Sequence, residues 1–189
     1  MRIGIIDVGS NTIRLNVYDC VDGEVELLLG ERAAAALLGY VRAGVLSSAG
    51  IRTLCDVLDR FRRLAELLQV VELHCFATAS LRHLVNQREA LDAARARGVE
   101  IRVLTGEEEA RYDLAGLLRA VDAECGAGLD LGGGSCQIFA FRDRQMTASA
   151  SLPIGTLVLH DRFVRDVLPT REEAMAIRGF VREQLAMCE

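Results

Sequence analysis

The segments DVGSNTIRLNV (residues 7–17) and DLGGGSCQIFA (residues 130–140) follow one pattern, and together they predict the fold. In each segment an aspartate ends an apolar strand, a turn of glycine and small polar residues follows, and a strand with alternating apolar residues leads away. The matched positions are Asp7 and Asp130, Gly9 and Gly132, and Thr12 and Ser135. One hairpin repeated at the start of each half of the chain indicates two related lobes.

The residues around the two hairpins predict a mixed α/β protein. The first half reads as an antiparallel meander of three strands followed by alternating helices and strands: strands 2–8, 12–19, 24–29, 70–76 and 100–104, and helices 51–68, 81–97 and 107–121. The second half reads as a strand, a glycine turn and a strand over 128–141, a third strand over 146–152, and helices over 156–167 and 171–187. We expect a first lobe over residues 1–123 and a second over residues 124–189.

The two turns predict anion binding. Backbone N–H groups of a tight turn point into a concavity that suits phosphate, and the hydroxyl and amide side chains in both turns add donors. Aspartates beside a bound phosphate suit Mg²⁺. In the alternative interpretation, the aspartates form Asx turns and the glycines supply positive φ angles. Arg14 shares a strand face with Thr12, so it either reaches the same anion or is a surface arginine.

Two predicted helix starts carry further polar residues. In FATASLRHLVN (76–86), either Thr78 or Ser80 is expected as the N-cap, which places Arg82 in the first turn and Asn86 on the same face. A cation in a first turn opposes the helix dipole, which suggests an anionic partner. In TGEEEARYDLAG (105–116), Thr105 and Glu108 predict a capping box. Spacing does not decide which of the three glutamates has a chemical role.

Composition excludes several classes of function. The chain of 189 residues has a net charge of −5, which argues against a nucleic-acid surface, and all 22 basic residues are arginine, so no P-loop lysine exists. Six dispersed cysteines without metal spacing predict reduced thiols: Cys20, Cys55, Cys75, Cys125, Cys136 and Cys188. The absence of a long apolar run and of a signal-peptide pattern predicts a cytoplasmic protein without membrane contact.

Five segments in order resemble the exopolyphosphatase and guanosine pentaphosphate phosphatase family: DVGSNTIRL, ATASLRHLVN, GEEEARYDLAG, LDLGGGSCQ and SLPIGTLVLHDRF. The resemblance extends over nearly the whole chain. It implies an actin-like fold of two ribonuclease-H-like lobes and an enzyme that uses Mg²⁺. Such an enzyme hydrolyses the terminal phosphoanhydride of polyphosphate or the 5′ phosphate of guanosine pentaphosphate.

The resemblance also implies roles for individual residues. Asp7 and Asp130 would organise metal and water, and Glu109, the glutamate before Ala-Arg, would be the general base. Other residues would bind phosphate or line its channel: Ser10, Asn11, Thr12, Thr78, Arg82, Asn86, Gly132, Gly133, Gly134 and Ser135. Arg14 is added to the predicted phosphate-binding residues because it shares a strand face with Thr12.

The chain departs from the family pattern in two places. Family members usually read DIGGGSTE, whereas Gln137 stands here in place of that glutamate. The family also continues beyond the position of Glu189, so the first lobe is expected to be complete and the second truncated. Two alternatives follow: the chain is a fragment, or it is a naturally short relative whose second lobe is completed by another copy in a homodimer. A polyphosphate- or nucleotide-binding module without turnover is therefore a second hypothesis. An actin-like ATPase or sugar-kinase relative is a third, since those proteins share the two hairpins.

Overall fold

The computed structural model describes residues 1–187, and the chain forms two compact units, Met1–Leu104 and Thr105–Glu189. The boundary between the units therefore lies before the helix predicted over residues 107–121. The expected first lobe, residues 1–123, instead includes this helix. The helix packs through Ala110 and Leu114 on two phenylalanines of the second unit, and this apolar contact accounts for the earlier division.

The first unit is built on a five-stranded sheet in the order β3-β2-β1-β6-β7. The first three strands form the predicted antiparallel meander, and the last two run parallel to β1, which is the arrangement expected of a ribonuclease-H-like lobe. The strands are β1 (Arg2–Val8), β2 (Thr12–Val21), β3 (Glu24–Ala34), β6 (Glu72–Ala77) and β7 (Ile101–Val103). A separate two-stranded hairpin is formed by β4 (Val41–Arg42) and β5 (Val45–Leu46). Strand β3 continues beyond the predicted residue 29 because it pairs with β2 as far as Thr12 and Ala34.

The long helix α1 (Ser48–Leu67) covers this sheet. Its apolar positions recur at helical spacing, and Leu54, Leu58 and Phe61 are fully buried against the inward-facing residues of β1 and β2. The side chain of Ser47 caps its first turn by accepting a hydrogen bond from the N–H of Gly50. The predicted amphipathic helix is thus confirmed.

The single helix predicted over 81–97 is wrong. The structure has a short helix α2 (Ala79–Arg82) and a separate helix α3 (Gln87–Arg95). Between them the N–H of Val85 donates to the carbonyl of Gly44, and the Asn86 side chain bonds to the backbone of Leu46. Hydrogen bonds to the β4–β5 hairpin therefore replace the helical bonds of this segment, although its apolar spacing continues.

The second unit contains a three-stranded antiparallel sheet in the order β10-β9-β8. Its elements are α4 (Gly106–Ala120), β8 (Cys125–Leu131), β9 (Cys136–Arg142), β10 (Gln145–Leu152), α5 (Thr156–Phe163) and α6 (Arg171–Ala186). Phe139 and Phe141 point from β9 towards α4, while Cys136 on the opposite face packs with residues of α5 and α6. The predicted strands are confirmed, and α5 ends earlier than expected because Val164 is extended.

The structure also bears on the predicted free thiols and on the prediction that no helix spans a membrane. Free thiols are found at Cys20, Cys55, Cys75, Cys125 and Cys136, while Cys188 lies outside the described residues. Over residues 1–187, the helices are too short or too polar to cross a bilayer.

Candidate functional site

The first repeated turn joins β1 to β2, and two of its carbonyl groups accept hydrogen bonds from other residues of the first unit. The Ser10 carbonyl accepts from Leu38 in a 3-10 helix, Leu37–Tyr40, and the Asn11 carbonyl accepts from the N–H groups of Ala35 and Ala36. The turn is closed by a hydrogen bond of 3.2 Å from the N–H of Gly9 to the carbonyl of Thr12. These bonds hold the carbonyl side of the turn against its own unit.

The second turn, between β8 and β9, repeats this arrangement. Its closing bond runs from the N–H of Gly132 to the carbonyl of Ser135, at 2.9 Å. The carbonyl of Gly132 accepts from Thr156, and that of Gly133 accepts from the next two N–H groups, so the glycine turn caps the start of α5. The repeat read from the sequence is therefore present in the hydrogen bonds as well.

The N–H groups of both turns are left as donors. Within residues 1–187, the N–H groups of Ser10 and Asn11 in the first turn donate no hydrogen bond. The same holds in the second turn for Gly133, Gly134 and Ser135. The carbonyl groups of Ser10, Asn11, Gly132 and Gly133 are occupied, whereas these N–H groups are not. Each turn therefore has unbonded N–H donors, which is the chemistry of an anion nest.

Close packing explains the glycines of these turns. A Cβ atom at Gly9 would lie 2.8 Å from the carbonyl oxygen of Thr12, and one at Gly132 would lie 3.3 Å from that of Ser135. Neither glycine has a positive φ angle, since the positive-φ glycines are Gly23, Gly44 and Gly98. The alternative in which the glycines supply positive φ is thus wrong for both positions.

Gly155 is a residue whose role the sequence did not reveal. A Cβ atom there would lie 2.3 Å from the carbonyl oxygen of Gly133 and 2.5 Å from the carbonyl carbon of Gly134. The loop before α5 therefore packs directly on the backbone of the second turn. In the sequence, Gly155 is marked only by its position in SLPIGTLVLHDRF, one of the five segments that carry the family resemblance.

The three consecutive glutamates of α4 have three different environments. Glu107 forms an exposed ion pair with Arg111 at 2.6 Å. Glu108 completes the predicted capping box with Thr105, which is confirmed in both directions at 3.1 and 2.9 Å. Glu109 is buried to 9% exposure, which separates it from its neighbours and places it inside the unit. Its role as general base stays a prediction.

An acidic neighbourhood surrounds Glu109 in the second unit. Asp113 lies one turn further along α4, and burial raises its pKa to about 6, with the carboxylates of Asp130 and Glu109 adding to the shift. Its Oδ2 atom is buried without a hydrogen-bond partner among the described residues. The sequence did not single out Asp113, because a single aspartate on a helix has no distinguishing pattern.

Gln137 occupies the centre of a polar row across the second sheet. Its direct neighbours are Asp130 on β8 and Ser151 on β10. Its side chain is 1% exposed, and its Nε2 atom donates to the Oγ of Ser135 at 2.9 Å and to the Oγ of Ser151 at 3.1 Å. The residue that departs from the family pattern is thus a buried donor to a hydroxyl of the anion turn.

The predicted channel residues of the first unit lie in two places. Thr78 is the N-cap residue of α2, without a side-chain cap bond, and Ser80 instead donates to the carbonyl of Val8 beside the first turn. Arg14 is exposed on β2 and pairs across the sheet with Asp7, so both side chains share one face. The phosphate-binding roles predicted for these residues are not tested by their positions.

Arg82 is the last residue of helix α2, which is a single turn of four residues, so the predicted first turn is also the last. A cation at the C-terminal residue does not oppose the helix dipole, so its position does not indicate an anionic partner. Its Nη1 donates to the carbonyl of Leu104 at 2.9 Å. The side-chain amide of Asn86 bonds to both backbone groups of Leu46 and to Glu89, so it is held by its own unit. Contact of either residue with phosphate stays a prediction.

The donors suit a hard divalent cation in a phosphate site. Asp130 is exposed at the end of β8, next to the second turn, and Asp7 has the matching position in the first unit. In the part of the chain that the structure describes, no three histidine, cysteine or acidic side chains are arranged to hold a metal ion by themselves. Mg²⁺ commonly uses one or two carboxylates with water and substrate phosphate, and the aspartate beside each turn is a ligand of this kind.

Cys136, which follows the second turn, has the character of a core residue. It is buried, and burial raises the pKa of its thiol, with the Asp130 carboxylate adding to the effect. Burial likewise raises the pKa of Cys75 to about 12, with a smaller contribution from Asp7. Both thiols stay protonated at neutral pH, which does not favour a nucleophilic role.

Comparison with known proteins identifies a family and a fold. The model of the Ppx/GppA phosphatase family matches residues 17–189. Exopolyphosphatase 1 of Mycobacterium tuberculosis is 30% identical over 191 residues, an alignment that covers 98% of this chain and 56% of the relative.

Solved structures show the same fold. The crystal structure of an exopolyphosphatase from Cytophaga hutchinsonii superimposes with a TM-score of 0.91 at 26% identity, over 98% of this chain and 61% of that one. A Ppx/GppA family member from Aquifex aeolicus gives a TM-score of 0.79 at 28% identity, over 99% of this chain and 62% of that one. The chain therefore spans about six-tenths of the length of the relatives it matches.

Proposed function

The chain belongs to the Ppx/GppA phosphatase family, and from this premise we propose that it hydrolyses a phosphoanhydride bond of inorganic polyphosphate or of guanosine pentaphosphate. The observation that carries the proposal is the set of N–H groups in each turn that donate no hydrogen bond among residues 1–187. An anionic phosphate chain supplies acceptors alone, so it complements these turns without any basic patch. This complementarity is compatible with the net charge of −5.

Glu109 is the proposed general base. It lies in the first turns of α4, buried, while Glu107 and Glu108 are engaged in an ion pair and a capping box. In the proposed reaction Glu109 accepts a proton from a water molecule that attacks the terminal phosphorus in line with the leaving oxygen. The N–H groups of the turns donate to the non-bridging oxygens, where negative charge is held in the transition state.

Mg²⁺ is the proposed metal, with Asp7 and Asp130 as its protein ligands. When bound, it would neutralise phosphate charge. Each carboxylate would supply an oxygen ligand to the metal or to its water shell, and the N–H groups of the turn beside it would orient the substrate. Depletion and replacement of Mg²⁺ in a tripolyphosphate-binding titration would test this ligand assignment, with Asp130→Asn as the variant that should lose the metal dependence.

A second candidate function is binding of the same anions without turnover. The observation that favours it is Gln137, a neutral amide in a place where the family usually has a glutamate. The amide keeps the hydrogen bonds of the site but carries no charge. Binding of tripolyphosphate without release of phosphate would distinguish this function from hydrolysis.

Phosphate release from long-chain polyphosphate with Mg²⁺ tests the proposal. We expect the wild-type chain to release phosphate and Glu109→Gln to reduce the rate by at least about 100-fold, which is the lower range for loss of a general base. Glu107→Gln is the matched control on the same turn, since it loses only an exposed ion pair. Equal rates for wild type and Glu109→Gln would refute the assignment of the base.

The choice of substrate and the oligomeric state are tested separately. A comparison of phosphate release from polyphosphate and from guanosine pentaphosphate under the same conditions decides between the two substrates. Sedimentation of the purified chain tests the prediction of a homodimer, for which a single monomeric species at micromolar concentration would be the contrary result.

A further inference from the structure

The hydroxyl of Ser135 is oriented by a buried amide. Ser135 is 7% exposed, and its Oγ accepts a hydrogen bond from Nε2 of Gln137 at 2.9 Å. A hydroxyl has one proton to donate. Among residues 1–187, no group accepts the Ser135 proton. Its O–H is therefore a fourth donor beside the N–H groups of the second turn.

Both hydrogens of the Gln137 amide are used. One goes to Ser135 and the other to Ser151, at 3.1 Å, on the neighbouring strand. In both hydrogen bonds the serine hydroxyl oxygen accepts from the amide, so neither serine donates its proton to Gln137. A carboxylate in the same position would instead accept the hydroxyl protons and reverse the direction of both hydrogen bonds.

Ser151 connects this amide to the helix of the proposed base. A Cβ atom at Gly106 would lie 2.4 Å from the Cβ of Ser151, so this serine packs against the first residue of α4. Glu109 lies three positions further along the same helix. The amide thus joins the anion turn, strand β10 and the start of α4 in one hydrogen-bonded and packed unit.

The charge of the neighbouring residue favours an amide at this position. Asp130 lies directly opposite Gln137 on β8, where cross-strand side chains are about 5 Å apart at Cβ. A second carboxylate here would face that of Asp130, and like charges directly opposite each other are destabilising. A neutral donor avoids this repulsion and adds no negative charge beside a bound phosphate.

We propose that Gln137 is a positioning residue for the proposed function, and that its amide holds the Ser135 hydroxyl as a hydrogen-bond donor to the substrate phosphate. The inference rests on the proposed function, since it assumes that an anionic phosphate occupies the second turn. It assigns to Gln137 a role different from that of a charged residue. Ser135 makes the contact, and Gln137 acts through it.

Calorimetric titration with inorganic tripolyphosphate, without added metal, tests this role in a cycle of four proteins: wild type, Gln137→Met, Ser135→Ala and the double variant. Methionine retains the length of glutamine but has no donor. We expect Gln137→Met and Ser135→Ala each to weaken binding by roughly 10-fold or more, as for a hydrogen bond to a charged group. The double variant should bind no more weakly than Ser135→Ala alone.

A purely structural role predicts a different result. Gln137→Met would then weaken binding equally in the wild-type and Ser135→Ala backgrounds, and this outcome would overturn the inference. Gln137→Glu is the second variant, with the shape of the amide but the opposite hydrogen-bond direction. It should bind tripolyphosphate more weakly than Gln137→Met, and it provides the test if Gln137→Met does not fold. Affinity of Gln137→Glu equal to that of wild type would also overturn the inference.

Different results would overturn the proposed function and the role of Gln137. Wild-type protein that does not bind tripolyphosphate overturns the proposed function and this inference with it. Wild-type protein that binds, with unchanged affinity in Gln137→Met, overturns the inference alone. The ¹H–¹⁵N signals of the Gln137 side-chain amide give an independent reading, since they should shift on addition of tripolyphosphate to wild type and not to Ser135→Ala.

Discussion

Replacing Gly155 by alanine is expected to distort the second anion turn. The new Cβ atom would lie 2.3 and 2.4 Å from the carbonyl oxygen and carbon of Gly133 and 2.5 Å from the carbonyl carbon of Gly134, whereas ordinary contacts begin at 3.4 Å. The neighbouring atoms are all backbone, so no side-chain rotation relieves the clash. The turn or the start of α5 must shift by about 1 Å, and overpacking of this kind costs about 1 to 3 kcal/mol.

The backbone angles isolate this steric effect. Gly155 has φ −63° and ψ 155°, which alanine adopts without strain, so only the collision with the turn distinguishes the variant. Gly179→Ala in α6 is the matched control, because a Cβ atom there meets nothing within 4 Å. In a helix interior this control should stabilise the protein by about 0.5 to 1 kcal/mol.

Thermal unfolding followed by circular dichroism and calorimetric titration with tripolyphosphate measure the two consequences. We expect Gly155→Ala to lower Tm by several degrees, at roughly 2 to 4 °C for each kcal/mol in a chain of this size, and to weaken tripolyphosphate binding. Gly179→Ala should raise Tm slightly and leave binding unchanged. Wild-type stability and affinity in Gly155→Ala, or equal damage in both variants, would refute the reasoning.

Three further predictions concern single groups. Asp113→Asn should stabilise the protein by about 1 kcal/mol at pH 8 and by less at pH 5. Because the pKa of Asp113 is raised from 3.8 to about 6, stability that is present below pH 3.8 is lost as the pH rises towards 6. The full effect would be about 3 kcal/mol, and solvent screening reduces it because the group is only half buried. Urea unfolding at both pH values measures this, and an identical gain at each would contradict it. Asn86→Ala should lower the free energy of unfolding by about 1 to 3 kcal/mol, because the N–H of Leu46 loses its bond of 2.9 Å to the Asn86 side-chain carbonyl. Hydrogen exchange at the Leu46 amide should become faster, and unchanged protection of that amide would contradict the prediction. Thr105→Ala should lower the free energy of unfolding by about 1 kcal/mol, because the N–H of Glu108 loses its cap bond to the Thr105 hydroxyl. Tm measures this effect, and an unchanged Tm would argue against the capping box as a source of stability.

Local patterns predicted most of the elements correctly. The meander, the amphipathic helix α1 and the capping box of α4 are confirmed, because alternation, helical spacing and cap residues act over a few neighbouring positions. The single helix predicted over 81–97 is wrong for the opposite reason. Its own residues suit a helix, but Gly44 and Leu46, distant in sequence, take the hydrogen bonds of the intervening segment.

Some features of the candidate site can be read from the local sequence, and others depend on tertiary contacts. The repeated aspartate-glycine hairpins are visible in the sequence because each turn is a short continuous segment. Their donor character is not visible, since it depends on which distant N–H groups occupy the carbonyls, as those of α5 do for Gly132 and Gly133.

By itself the sequence determined the duplicated hairpins, the α/β class and the resemblance to a phosphatase family, because each of these is carried by consecutive residues. Only the tertiary structure decided which glutamate is buried, where Arg82 lies in its helix and which hydroxyl the Gln137 amide holds. Burial and hydrogen-bond partners are set by strands and helices that meet from distant parts of the chain. That pairing is a property of the packed molecule and has no local signal in the sequence.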